Sequence, residues 1–205
     1  YCMAALRIGG MLAGAAAFCY AEKFLSAEIL AKYAPVLVAP SPMLGGFVSK
    51  LYGGVLLVNI VGSSFMMITL SFIPGSARKV YMEKAKKAGD KDAEDRYTLP
   101  KLYAEGFSAE AKEFNCHQRA HQQALETYTN FVVCSLIGGI RQPLLTTAAG
   151  VLYIVSRLKW AKGYCTGDPM NRYRASGGWG IHIWTSLLAT FACAASTGLG
   201  VAGVI

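Results

Sequence analysis

Residues 51–77 carry no charged side chain, and the run 51–73 is long enough to cross a hydrocarbon layer, which takes ~20 helical residues. Residues 175–205 are likewise uncharged, with Trp179 and Trp184 near their start, where aromatic rings favour the membrane–water boundary. Between these lie two shorter apolar runs, 131–140 and 144–155, neither able to cross alone. Each must be lengthened by a polar helical stretch: 110–128, free of Pro and Gly and rich in Ala, Gln and Glu, and 156–164. Gln142 and Pro143 part the two helices with a short turn, because proline disfavours helical backbone in the residue before it. The pattern predicts an all-α, integral membrane four-helix bundle with spans near 51–73, 112–140, 143–164 and 176–200.

Residues 74–113 hold nine Lys/Arg and eight Asp/Glu, a mixture that belongs in water, so a solvated loop is expected there, helical around 80–87. The first fifty residues differ in kind. Residues 3–20 are small and apolar apart from Arg7, and 35–46 read as irregular chain. This extension reads as a fifth membrane helix, an interfacial helix or the remains of a targeting segment. Arg7, close enough to the end to snorkel, favours a membrane-associated helix. The domain division is thus 1–50, an N-terminal extension, and 51–205, the membrane domain with its charged loop.

Composition agrees: 54% of the 205 residues are hydrophobic and 16% charged, against ~25% charged in soluble domains. The net charge of +8 comes without a Lys/Arg run interleaved with aromatics, so lipid headgroups or an anionic ligand are expected as partners, and nucleic acid is not. Lys and Arg gather in 74–113 and again at Arg157, Lys159, Lys162, Arg172 and Arg174, whereas the turn between the second and third spans offers only Arg141. The positive-inside bias puts both basic loops on the cytosol-equivalent side. The six cysteines form no CxxC pair and are expected to be reduced packing residues. His117 and His121 lack a third ligand at matching spacing, so no metal is expected, and His182 is expected to pack within its apolar helix.

Charges inside spanning helices usually face a bundle interior, a partner or a cavity. Arg119, Gln122, Gln123 and Glu126 fall at i, i+3, i+4 and i+7 on one stripe, which Asn115 extends by a turn. Tyr153, Arg157, Trp160 and Tyr164 form a second stripe on the third helix. Two readings compete. In one, Arg119 and Glu126 close an internal ion pair while the aromatics pack. In the other, the stripes recognise a small ligand bearing carboxylates and an ammonium, with arginine forks for the former and Glu126 for the latter.

The run FNCHQRAHQQALE at 114–126 resembles the FNCxQRAHQNxLE signature of microsomal glutathione transferase type three, within the membrane-associated proteins in eicosanoid and glutathione metabolism. The likeness continues in YGGVLL (52–57), SARKVY (76–81), SRLKWAKGY (156–164) and TGDPMNRYR (166–174). The resemblance implies a four-helix protomer in a homotrimer, with glutathione as co-substrate bound between neighbours near the cytosolic face. Arg78, Arg119, Glu126, Arg157 and Tyr164 match glutathione-contacting or site-shaping positions. Arg172, or alternatively Arg174, matches the arginine that favours the glutathione thiolate. Three departures fall in this site: Gln123 in place of Asn, Thr129 and Asn130 in place of a Pro-Pro pair, and Trp160 in place of Tyr.

Two functions follow. The first is a glutathione transferase or glutathione-dependent lipid peroxidase in the endoplasmic reticulum or an organellar membrane, mitochondrial or plastid. The second is a non-catalytic accessory subunit among unrelated subunits of a photosynthetic or respiratory membrane complex, suggested by the extension, the longer charged loop and the altered site. A chain that begins at Tyr1 fits a processed organellar product. The retained arginines place the enzyme ahead.

Overall fold

The computed structural model describes residues 31–204 except 45 and 47, together with 17, 20–22, 24 and 29. The helix expected over 3–20 falls largely outside the described residues, as do Arg7, Cys2 and Cys19. Among the described residues the chain is all-α, with four long helices: α1 (Tyr52–Lys87), α2 (Ala109–Gly138), α3 (Pro143–Tyr164) and α4 (His182–Val201). Both α1 and the stretch Trp179–Val201 are long and apolar enough to cross a membrane. Upstream, the expected irregular chain contains short helical turns at Pro35–Val38 and Pro42–Leu44, and an isolated bridge pairs Pro40 with Ser49.

The chain forms two compact units. The first comprises Tyr1–Ser64, Tyr128–Ile154 and His182–Ile205, and so takes a part of every long helix. Its polar centre is Asn59, fully buried within a π-helical stretch of α1, Val55–Gly62. The Asn59 amide donates to Ser135 Oγ and to the Thr146 carbonyl, both at 2.9 Å, joining α1 to α2 and α3. Phe131 and Tyr153 stack with ring centres 3.9 Å apart. Close approach depends on glycine: a Cβ on Gly138 would lie 2.5 Å from Cys193 Cβ, and one on Gly150 2.0 Å from Asn59 Oδ1. Small residues at helix crossings are how membrane helices gain packing that lipid cannot supply. At the α2–α3 turn, Arg141 donates to the Ser196 carbonyl and the Gln142 amide to Ser196 Oγ, each at 2.9 Å. The Glu22 carboxylate accepts from the Leu144 and Leu145 N–H groups at 2.5 and 2.7 Å, satisfying two donors that the first turn of α3 leaves without helical partners.

The second unit comprises Phe65–Thr127 and Val155–Ile181. Here the sequence expectation is corrected. Residues 74–113 are more than a solvated loop: α1 continues through Pro74 to Lys87, a short helix forms at Ala93–Tyr97, and a small core unites them. Ala77, Tyr81 and Ala85 recur every fourth residue along α1 and belong to one cluster with Ala93, Tyr97, Ala104 and Phe114. Tyr97 and Phe114 meet edge to face at 5.5 Å. The charges lie around this core, where Lys86 pairs with Glu94 at 3.0 Å and Arg96 with Asp90 at 3.2 Å.

Candidate functional site

The polar face of α2 is a product of spacing. Lys112, Cys116, Arg119, Gln123 and Glu126 recur every three or four residues, so the helix stacks them along one side. Arg119 meets Glu126 fork to fork, its two terminal nitrogens donating at 2.5 and 3.1 Å. The ion pair of the first reading therefore forms, but not in an interior: the two side chains are 37% and 45% exposed in the single chain. Solvent screening at such exposure leaves a pair with little stabilising value, below about 1 kcal/mol.

Arg157, on α3, is fully buried. It donates to Gln123 Oε1 and, at 2.7 Å, to Thr127 Oγ1, while its guanidinium lies 5.6 Å from the centre of the Trp160 ring. Trp160 is buried and tilts against Tyr164 at 4.8 Å. Arg172 lies over Tyr164 at 5.4 Å and over Tyr173 at 4.6 Å, and donates to the Pro169 carbonyl. Five predicted positions thus form one chain of contacts: Gln123, Arg157, Trp160, Tyr164 and Arg172. Arg174 is exposed. Arg78 is engaged in the small core, donating to the Tyr97 carbonyl at 2.7 Å with its guanidinium 5.0 Å from the Phe114 ring centre.

A cavity of about 430 Å³ opens beside these residues, within the range of small-ligand sites. Of the predicted residues, Arg119 and Tyr164 line it, together with Tyr103, Phe107, Lys112 and Cys116. Sequence reasoning did not single out those four for this site. Lys112 and Cys116 were accessible to it, since they precede Arg119 by seven and three residues on the same stripe. Tyr103 and Phe107 were not, because nothing local in the charged segment marks them as neighbours of α2. The Cys116 thiol donates to the Gly167 carbonyl at 3.4 Å and fixes the loop after α3 against α2. Gly167 has φ +85°, and a Cβ there would come within 2.9 Å of Glu113 Cγ.

Among the described residues, the thiol of Cys165 is poorly suited to attack. Burial pushes the Cys165 thiol up to about 11, with the neighbouring Cys116 adding to the rise, so it stays protonated at neutral pH. His117 Nδ1 faces the Glu113 carbonyl at 2.9 Å and its ring packs on Tyr81, as a helix-surface histidine would. His182, expected to pack within its helix, is instead exposed at the first position of α4. Among the described residues no cluster of three or more His, Cys, Asp and Glu is arranged to hold a metal. The arrangement is suited to an anionic organic ligand, with Arg119 and Lys112 as cations and Tyr103 and Tyr164 beside them on the cavity wall. A family model, that of the MAPEG family, matches residues 56–195.

Proposed function

Because the chain belongs to the MAPEG family, we propose that it is a membrane-bound glutathione transferase or glutathione-dependent lipid peroxidase of the microsomal type-three kind. The observation that carries this reading is the cavity walled by Arg119, Lys112 and Tyr164. Arg119 and Lys112 would take the carboxylates of glutathione, and Glu126, next to Arg119, its ammonium. Arg172 would favour the thiolate, since a nearby guanidinium lowers a thiol pKa and readies the sulfur for attack at neutral pH. In the transferase reaction a sulfur–carbon bond forms on a lipophilic electrophile as its leaving group departs. In the peroxidase reaction two glutathione thiols reduce one lipid hydroperoxide to alcohol and water and become a disulfide. We place the membrane domain at 51–205 with 1–50 as an added element, the assembly as a homotrimer, and the host as the endoplasmic reticulum or an organellar membrane.

A second reading has specific support. Arg119 is already held by Glu126, Arg172 by the Pro169 carbonyl and Arg78 by the Tyr97 carbonyl, and a buried indole stands where a phenol would serve. A site whose cations are engaged within the chain suits an accessory subunit that keeps the fold without the chemistry. Purification in native lipid, subunit counting and calorimetric titration with glutathione separate the two. A homotrimer that binds glutathione supports the enzyme. A single copy among unrelated subunits, with no heat of binding, supports the accessory role.

A further inference from the structure

The stretch between the short helix Ala93–Tyr97 and α2 runs along α2 rather than away from it. Asn115 holds Ala104 by both polar groups of its amide: the Ala104 N–H donates to Oδ1 at 2.8 Å, and Nδ2 donates to the Ala104 carbonyl at 2.9 Å. The Tyr103 hydroxyl reaches further and donates to Gln122 Oε1. Since α2 begins at Ala109 and rises ~1.5 Å per residue, this contact lies ~20 Å along it.

That position has a depth. A hydrocarbon layer takes ~20 helical residues, so the crossing part of α2, which ends at Gly138, reaches back to about residue 119. The Tyr103 hydroxyl at Gln122 therefore sits near the hydrocarbon boundary, where tyrosine is favoured, and Ala104 at Asn115 lies one layer out, among headgroups. At this level the stretch turns apolar side chains outward. Leu99 is 76% exposed, Leu102 57%, and Phe107 fully. Left in water, each would forgo the ~1.5–3 kcal/mol that burying such a side chain contributes. Lys101, exposed between them, has a stem long enough to lie along lipid with its ammonium among headgroups.

We propose that residues 99–107 form an interfacial element that sets Leu99, Leu102 and Phe107 into the headgroup–acyl boundary of the bilayer that α2 crosses. The occupant is lipid because the element is continuous with a spanning helix and pinned to it at the boundary. Tyr103 and Phe107 also wall the Arg119 cavity, so its rim opens to amphiphiles in the headgroup layer. The lipid contact does not depend on the glutathione reading and is tested apart from it.

A photo-crosslinking amino acid is placed singly at Leu102, Phe107 and, as a control on the same segment, Lys91, which is also exposed. The full chain is reconstituted in vesicles of phosphatidylcholine and phosphatidylserine, irradiated and analysed by mass spectrometry. All three side chains are at the surface, so replacement leaves the small core intact. Lipid adducts at 102 and 107 several-fold more abundant than at 91 are expected. Adduct yields no higher than at 91 overturn the proposal, and so do adducts at 102 and 107 formed chiefly with a second copy of the chain or, in native membranes, with another protein.

Discussion

Gln123 stands where the type-three signature that this stretch resembles carries Asn, and its side chain reaches the buried Arg157. Gln123→Asn withdraws that acceptor by one methylene while the bond to Thr127 and the Trp160 contact stay. A hydrogen bond to a charged group is worth about 1.5–3 kcal/mol, so the variant is expected to melt at lower temperature in lipid nanodiscs. An unchanged Tm would show that the contact carries no weight. Arg119 and Arg172 differ in the kinetics expected of them. A carboxylate contact is present in ground and transition states alike, so Arg119→Ala should weaken glutathione binding by about tenfold or more, whereas Arg172→Ala should chiefly lower kcat. Equal effects of both on Kd would contradict the assignment. For Cys165 the sign is simple: a thiol raised to about 11 is protonated below that pH, and only the thiolate reacts. Its alkylation by iodoacetamide should be slow at neutral pH and rise about tenfold per pH unit well past pH 9, where an ordinary thiol has already levelled off.

The glycines at helix crossings are a feature of the elements rather than of single side chains. Gly150 lets α3 approach α1 at Asn59, and Gly150→Ala places a methyl group in the space of the Asn59 amide. Overpacking of this kind costs about 1–3 kcal/mol and here also threatens the bonds from Asn59 to Ser135 and Thr146. Loss of the folded fraction in detergent, measured by size-exclusion chromatography, is the expected outcome, and full recovery of folded protein would be against it. The four helices were legible in the sequence because apolar runs and the Gln142–Pro143 turn are local signals, and the structure starts α3 at Pro143 and ends it at Tyr164. The helix expected around 80–87 is present, but charge density hides its continuity with α1 through Pro74, which the stripe of Ala77, Tyr81 and Ala85 carries. The π-helical winding at Val55–Gly62 left no local mark; it coincides with the stretch where Asn59 bonds to two other helices. In the site, spacing puts Arg119 with Glu126 and Arg157 with Trp160 on common helix faces; the structure pairs the first two at an exposed rather than an internal position and sets the second two in contact. Tyr103 and Phe107 escaped notice because a bond between residues 104 and 115 brings them there, and a tertiary clamp has no period.

At the scale of the whole molecule, the polar face of α2 sets a requirement that one chain does not meet, whereas Arg157 and Trp160 on α3 are buried within it. Arg119 and Glu126 are 37% and 45% exposed, and the crossing part of α2 reaches back to about their level when ~20 residues are needed to span the hydrocarbon. Glu126 lies about two turns further in than Arg119, where a charge facing lipid is costly by insertion scales, more than its pairing with Arg119 at such exposure returns. We therefore expect a neighbouring protein surface to cover this pair. If that neighbour is a second copy, the complementary face comes from the same sequence, and closed rotational symmetry supplies every copy with the same cover. The expected outcome is a particle of three 21.9 kDa chains when the protein is extracted in native lipid and weighed by native mass spectrometry. In that particle Arg119→Glu, which sets two carboxylates on the same stripe, should shift the population toward single chains, while Lys91→Glu, on the exposed charged segment, should not. A stable single chain in lipid, with Arg119 and Glu126 open to small lipid-phase reagents, would refute the argument from depth. A particle holding one copy beside unrelated subunits would keep that argument and decide for the accessory role.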